Sequence, residues 1–446
     1  MLHLSADAQA IWQAAVQAAD PFERVCAYLA NTEGPARKTL AAGGRIAVLG
    51  GGKAGAAMAA AVEAALADHL PRLLGLINVP QGQSAALARL RLREARPAGS
   101  NHPTEAGVAA TLEQLELVET LGPGDLAICL LSGGGSALLP APVPGVSLQD
   151  KQLVTRLLHA CGASINEMNC VRKHLSRYKG GRLAQRLTAR GVPVLGLILS
   201  DVIGDPLDVI ASGPTAADPT TFADAWAVLE RYDLLDKTPL AVREHLQRGR
   251  DGQIDETPKA LPETVRNEIL ASNRESLAAA ARQAVLRGYR VVNLGSFFDG
   301  ETRDLASLMA ALVRSVRRDG VPAPPPLCLL SGGETTVTLP PDHGKGGRNQ
   351  EFVLASLLKL GPTEMPGVAI LSGGTDGEDG PTDAAGAIAD ADTLACAAAL
   401  RLDPMAYLQR HDAYPFFDAV GGLLRTGLTG TNVMDVRVVL VAHLGK

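Results

Sequence analysis

The sequence predicts an α/β fold in two domains, each built on a sheet with helices over it. Short continuous apolar runs recur along the chain, glycine turns close most of them, and helical stretches separate one run from the next. Strands buried on both faces require this continuous apolar character. Strand, glycine turn and helix in repeated order point to a largely parallel sheet. A length of 446 residues exceeds one ordinary core and independently calls for more than one domain.

The clearest runs lie at 46–49, 73–79, 126–131, 194–199, 291–294, 327–330, 368–371 and 436–441. The last alternates to some extent, as an edge strand would. Two polar stretches read as seams. Residues 249–264 (GRDGQIDETPKALPET) are charged and strand-free, and residues 317–326 (RRDGVPAPPP) are proline-rich and predicted to be extended. The expected division is a Rossmann-like N-terminal domain with glycine loops over residues 1–258 and a smaller α/β domain over 259–446, compact from Leu327 onward.

Composition excludes several function classes. A formal charge of -5 leaves no electrostatic footprint for nucleic acid or an anionic membrane, which favours a small-molecule partner. No apolar run approaches the ~18 residues of a membrane span, and residues 5–19 read as a helix rather than a leader. The six cysteines form no C-x-x-C pair, and Cys129 and Cys328 sit inside apolar runs. Buried thiols in a reducing compartment are expected, hence a soluble cytoplasmic protein.

Chemistry concentrates at the strand ends, where open α/β sheets bind ligands. Residues 45–55 (RIAVLGGGKAG) satisfy G-x-G-x-x-G through Gly50, Gly52 and Gly55, after a strand and before a helix predicted over 54–67. A dinucleotide site also needs an acidic residue at the end of the second strand. That strand ends Asn78-Val79-Pro80-Gln81, without a carboxylate. What remains is an anion site at a helix N-terminus, formed by Gly50, Gly51 and Gly52, with Lys53 placed for phosphoryl transfer. It is not a Walker A motif. A second loop, 130–138 (LLSGGGSAL), offers Ser132, Gly133, Gly134, Gly135 and Ser136 to phosphate. Leu-Ser-Gly-Gly recurs at 131–134, 330–333 and 371–374, either as a convenient strand-end turn or as repeated amide cradles.

Residues 164–184 gather Arg172, Lys173, His174, Arg177, Lys179 and Arg182 around Gly180-Gly181. This is a solvated basic face or a seat for a substrate carboxylate or nucleotide phosphate. Lys173, Arg182 and, on the next loop, Ser212 stand as substrate-binding candidates. Within 197–215 (LILSDVIGDPLDVIASGPT), Asp201 directly follows a strand and suits a general base or a Mg²⁺ ligand. Asp205 and Asp208 are better read as turn residues. Arg348 opens a helix near Asn349, where the dipole disfavours a cation, so an anionic partner is expected there. Residues 371–383 place Asp376, Glu378, Asp379 and Asp383 after a strand. The EF-hand order is not met, and Asp376 is the preferred metal carboxylate.

Taken in order, GGGKAG, LLSGGGSALLPAP, NCVRKHLSRYKGGRLA, LSDVIGDPLDVIASGPTAADPTT, SGGETTVTL, GGRNQEF and SGGTDGEDGPTDAAGA resemble the glycerate 2-kinases with a C-terminal MOFRL-type domain. The resemblance covers about residue 10 to the C-terminus. It implies ATP- and Mg²⁺-dependent phosphorylation of D-glycerate to 2-phosphoglycerate, with the active site in a cleft between two α/β domains. It also implies phosphate-binding and catalytic roles for Lys53, Asp201 and Arg348. One stretch departs from the family. Residues 101–107 read NHPTEAG where a His-Pro-x-Pro-Asp segment is usual, which leaves the roles of His102 and Glu105 open. Members of this family are also labelled hydroxypyruvate reductases, so an NAD(P)H-dependent reductase is the rival reading, and a homo-oligomer is compatible with either.

Overall fold

A computed structural model of the chain describes residues 4–83, 85–98 and 102–443. Its contacts divide the chain into two compact units, one over Pro21–Leu270 and one formed by the residues up to Asp20 together with those from Ala271 onward.

The first unit is built on six strands: β1 Ile46–Gly51, β2 Leu73–Pro80, β3 Arg91–Arg96, β4 Leu126–Leu131, β5 Val194–Leu199 and β6 Val265–Ala271. Their order is β3-β2-β1-β4-β5-β6, and the pairs from β3 to β5 are parallel. β1, β4 and β5 are buried along their whole length, as their continuous apolar character requires. On one face Ala47, Leu49, Cys129, Leu131 and Ile198 form a core with Leu115, Val118, Leu183 and Leu187 of helices Glu105–Glu119 and Arg182–Ala189. Helices Leu148–Ala160, Ile165–His174, Phe222–Arg231 and Leu240–Arg250 close a second core around Phe222, Leu158, Val171 and Leu246.

The second unit is also a six-stranded sheet: β7 Arg290–Asn293, β8 Leu327–Gly333, β9 Val368–Gly374, β10 Gly386–Ala389, β11 Leu423–Leu424 and β12 Asp435–Val441. The order is β11-β10-β9-β12-β8-β7, with only β7 and β8 parallel among the paired neighbours. Alternate residues of each strand face opposite cores. Leu327, Leu329 and Val439 pack under helices Thr302–Arg318 and Arg348–Glu364, while Cys328, Leu330, Val436 and Val438 pack under Asn273–Leu286 and the N-terminal helix Leu4–Gln17.

Three expectations are corrected. β12 is central, not an edge: it pairs with both β8 and β9 and is buried throughout. The polar stretch before residue 264 is no seam. Thr257 Oγ1 donates to Asp218 (3.0 Å), Glu256 accepts from the Phe222 amide (2.8 Å), and Asp218 N–H donates to the Pro258 carbonyl (2.9 Å). These bonds tie the stretch to the first unit, and the division falls at 270 rather than 258. The proline-rich stretch 317–326 is not a boundary either, since β7 and β8 on its flanks pair directly.

The N-terminal helix belongs to the second unit through its apolar stripe Ala8, Ile11, Trp12 and Ala15. Trp12, 1% exposed, also donates from Nε1 to the Gly373 carbonyl at 3.1 Å. Trp12→Ala is expected to destabilise this unit by about 3–5 kcal/mol, read as a lowered urea midpoint. An unchanged midpoint would show that the helix contributes little.

Candidate active site

The strand order of the first unit reverses between β1 and β4, and ligands of open α/β sheets bind at such a switch point. Both glycine loops lie there, one after each strand. They are zipped together: Lys53 N–H donates to the Gly133 carbonyl (2.8 Å) and Ala54 N–H to Ser132 Oγ (3.1 Å). A Cβ on Gly52 would stand 2.0 Å from Ser132 Oγ, so the close approach of the loops is what demands glycine.

This zipping corrects the expected cradle. The Gly50 amide donates to Gln114 Oε1 (3.0 Å) and the Gly52 amide to the Asn78 carbonyl (3.2 Å). The first loop therefore turns these donors inward, and Gly50, Gly51 and Gly52 act as a platform. The second loop is different. The amides of Gly133 and Gly134 find no acceptor among the described residues, and Gly134 adopts φ +78°, which favours glycine. Ser132 is committed to Ala54, whereas Ser136 is half-exposed and shares a 2.8 Å hydrogen bond with Ser212.

Two cations flank Gly134. A Cβ there would lie 3.0 Å from Arg96 Nη2 and 3.5 Å from Lys53 Cγ. Arg96 is 4% exposed, its Nε has no hydrogen-bond partner among the described residues, and burial lowers its pKa from the usual arginine range. Nothing in the sequence singles it out, because β3 (RLREAR) lacks an apolar run. At the end of β2, where a dinucleotide fold places a carboxylate, Asn78 is fully buried. It donates to the Leu138 carbonyl (2.7 Å) and Thr111 (3.1 Å) and accepts from Gln114 (2.9 Å).

Asp201 stands half-exposed just beyond the end of β5. The loop after it is strained: Asp205, Ala211 and Ser212 have φ of 56°, 51° and 60°. Left-handed non-glycine residues cost about 1–3 kcal/mol each and cluster at functional sites. The strain is held from outside, since the amides of Gly180 and Gly181 donate to the carbonyls of Ser212 and Gly213 (3.0 and 2.7 Å). Ser212 Oγ donates to Asn169 Oδ1 (3.1 Å). Thus the KGG and SGP motifs, far apart in sequence, are two halves of one joint.

The basic segment resolves residue by residue. Lys173, 2% exposed, is paired with Asp208 (2.9 Å) and Asp218 (3.0 Å), so its ammonium is spent within the fold and not on a substrate. Arg182 donates to the Asp255 carbonyl (3.3 Å), tying down the 249–264 stretch. His174 pairs with Glu256 (3.2 Å), and burial lowers its pKa. Arg172 and Lys179 have no carboxylate partner among the described residues. In the divergent segment, Asn101 lies outside the described residues. Glu105 opens a helix capped by Thr104 and accepts from Gln149 (3.0 Å), which is a structural role.

In the second unit Arg348 heads its helix as expected, but its anions are protein groups. Nε and Nη2 clasp Asp435 (2.7 and 3.0 Å) and Nη1 meets Glu334 (2.9 Å). Burial works against the charge, yet Asp435 and Glu334 hold the guanidinium above its ordinary range. Asp435 starts β12 between the glycine ends of β8 and β9. It also receives Asn349 (2.9 Å) and Arg437 (3.1 Å). A carboxylate at the mouth of a buried strand is a signal available in the sequence, read there for Asp201 and Asp376 and not for Asp435. Asp379 accepts from the amides of Asn349 and Gln350 (3.0 and 2.9 Å), capping the same helix, and burial pushes its carboxyl up to about 6. Asp376 is half-exposed and accepts from the Glu378 amide (3.2 Å). The Leu-Ser-Gly-Gly repeats here serve packing, since a Cβ on Gly332 or Gly373 would strike Asn273 or Trp12.

Comparison with known proteins agrees with this layout. Residues 7–247 match a family described as a domain of unknown function, DUF4147, and residues 327–435 match the MOFRL family. A protein of Pyrococcus horikoshii named glycerate 2-kinase is 39% identical over 430 residues, spanning 96% of this chain and 95% of that one. A Homo sapiens glycerate kinase is 40% identical over 452 residues, spanning 88% and 84%. A protein of Agrobacterium vitis named putative hydroxypyruvate reductase is 42% identical over 434 residues, spanning 97% and 93%. The solved structure of glycerate kinase from Thermotoga maritima aligns with a TM-score of 0.86 at 35% identity, covering 98% of this chain and 99% of that one. With relatives of this identity along nearly the whole chain, the protein belongs to the glycerate kinase family.

Proposed function

We propose that this chain is a cytoplasmic enzyme that transfers the γ-phosphoryl group of ATP to the 2-hydroxyl of D-glycerate, giving 2-phosphoglycerate and ADP. The observation that carries this reading is the second glycine loop at the switch point. Its amides at Gly133 and Gly134 are unengaged among the described residues and flanked by Lys53 and Arg96, as a transferring phosphoryl group would require. The hydroxyl oxygen bonds to the γ-phosphorus as the bond to ADP breaks, and Lys53 offsets the charge that develops. Asp201 orients the hydroxyl and takes up its proton. Arg348, in the second unit, keeps one N–H on each terminal nitrogen beyond its contacts to Asp435 and Glu334, and is proposed as a further phosphate-binding cation.

Among the described residues no group of three or more His, Cys, Asp or Glu side chains is arranged to hold a metal. Mg²⁺ needs only one or two carboxylates when phosphate oxygens and water complete its shell, so the half-exposed Asp376 is one candidate ligand, and Asp201 is the alternative where it binds the metal instead of serving as base. Bound there with the nucleotide, the ion would neutralise phosphate charge.

The reductase reading meets Asn78 where a ribose-binding carboxylate belongs, and inward-turned amides where a pyrophosphate would lie. Incubation with ATP, Mg²⁺ and D-glycerate is expected to yield ADP and a new ³¹P resonance, with the product consumed directly by enolase. NADH oxidation by hydroxypyruvate without such a product would overturn the proposal. A product that enolase accepts only after a mutase step would move the phosphate to the 3-hydroxyl.

A further inference from the structure

One cationic cluster in the first unit is left unexplained by the fold. Arg172 lies in the last turn of helix Ile165–His174, is half-buried, and has no ion-pair partner among the described residues. Its sequence neighbours differ sharply, since Lys173 holds two aspartates and His174 holds Glu256. Lys179, 4% exposed, donates from Nζ only to the Ser136 carbonyl. Lys151, on helix Leu148–Ala160, donates from Nζ to the Leu175 carbonyl (2.9 Å), the residue that ends Arg172's own helix.

The three cations feel one another. Burial, with Arg172 beside it, pushes the Lys151 ammonium down to about 7, and burial with Lys151 and Arg172 holds Lys179 well below its usual value. Burial alone lowers Arg172, and no carboxylate among the described residues lies near enough to answer it. The other titratable groups in reach are His159, which closes Lys151's helix, and His102 beside it. Acids on the neighbouring turns are engaged elsewhere: Asp150 with Ser147, Glu167 with Ser164 and Arg231, and Glu105 with Gln149. Like charges gathered around a buried ammonium without an anion are costly, so the fold keeps them for something it does not itself supply.

Position says what that is. Lys179 touches Ser136 of the second glycine loop, and Ser136 leads through Ser212 to Asn169, one helical turn before Arg172. The cluster therefore adjoins the loop assigned above to the phosphoryl group. We propose that Arg172, Lys151 and Lys179 form the seat for the carboxylate of the hydroxy-acid substrate, Arg172 being its planar, fork-shaped ligand. This rests on the kinase reading and deepens it. Lys53 and the amides at Gly133 and Gly134 serve the phosphoryl group, and the cluster fixes the other end of the acceptor. A guanidinium matches a carboxylate through two parallel N–H bonds, which a lone ammonium does not.

The test uses the full chain with Arg172→Met, Lys151→Met and Arg172→Lys. In the two methionine variants the KM for D-glycerate is expected to rise by roughly 10- to 100-fold, the scale of losing a hydrogen bond to a charged group, while the KM for ATP stays as it was. Arg172→Lys restores some of the loss. The wild type discriminates against the methyl ester of D-glycerate, and Arg172→Met loses that discrimination. Because Arg172 has no ion-pair partner among the described residues, its methionine variant should melt no lower than the wild type. A rise in the KM for ATP instead would assign the cluster to nucleotide phosphate and overturn the carboxylate seat, as would an unchanged KM for D-glycerate in both variants. If the wild type shows no turnover, thermal-shift titration with D-glycerate decides separately. Stabilisation lost in Arg172→Met would keep the seat and sink the kinase reading, and an equal shift in both proteins, or none in either, would sink the seat.

Discussion

Lys53→Ala is expected to lower kcat by about 10²–10³, the scale of removing one positioned electrostatic contact from a transition state. Lys53 N–H donates to Gly133, and its stem lies over Gly134. Alanine keeps that amide, so the zipped loops should persist. The loss should fall on kcat more than on the KM for either substrate, because the charge it answers develops as the phosphoryl group moves. Arginine at this position should recover little, since a planar, delocalised guanidinium does not replace a compact ammonium at a single point of developing charge. Steady-state rates with saturating ATP and D-glycerate read the effect, and near-normal turnover in Lys53→Ala would remove Lys53 from the mechanism.

Asp435→Ala is expected to destabilise the second unit by about 3–5 kcal/mol, the cost of breaking a buried charge pair by deleting one member. Asp435 is fully buried and carries Arg348 on two bonds, with Asn349 and Arg437 on two more. Desolvation alone would raise its pKa, but Arg348 and Arg437 hold the carboxyl below the usual range. Arg437 is equally buried, and its Nε and Nη1 have no partners among the described residues, so removing Asp435 leaves a nearly uncompensated cation in the sheet. Asp435→Asn keeps the shape and one acceptor and should cost less. Urea unfolding measures both variants; a midpoint within error of the wild type for Asp435→Ala would show that Arg348 is held by other contacts. The linkage has a clear sign. A carboxyl with a depressed folded pKa contributes stability above its unfolded pKa, and that stability is lost as the pH falls through the folded value.

Most strands legible in the sequence are buried along their length, and the half-exposed β7 is legible too through its apolar run at 291–294. β1, β4, β5, β8 and β9 show as continuous apolar runs, though β1, β8 and β9 run on through glycines that composition assigns to turns. β3, β6, β10 and β11 escape detection for a common reason: each is short, or polar along one side. β12 misleads in the opposite direction, because Arg437 interrupts its apolar run and imitates an edge strand. Its pairing with Asp435, with a hydrogen bond to Thr335, lets a fully buried arginine sit in a central strand.

The site was legible as chemistry and not as contacts. Glycine, lysine and aspartate at strand ends identify Lys53, Asp201 and the second glycine loop from their order along the chain. No local pattern distinguishes Lys173, neutralised by two aspartates 35 and 45 residues away, from Arg172 beside it, which has none. Nor could any pattern show that the first glycine loop turns its amides inward, since their acceptors come from Gln114 and Asn78. The order of motifs, the α/β class and the switch-point chemistry are written in the chain, because they depend on burial periodicity and on residue types at strand ends. Which cations remain unanswered, which amides face outward and where the N-terminal helix packs were decided by the tertiary structure. Those depend on partners that only folding brings within hydrogen-bonding distance.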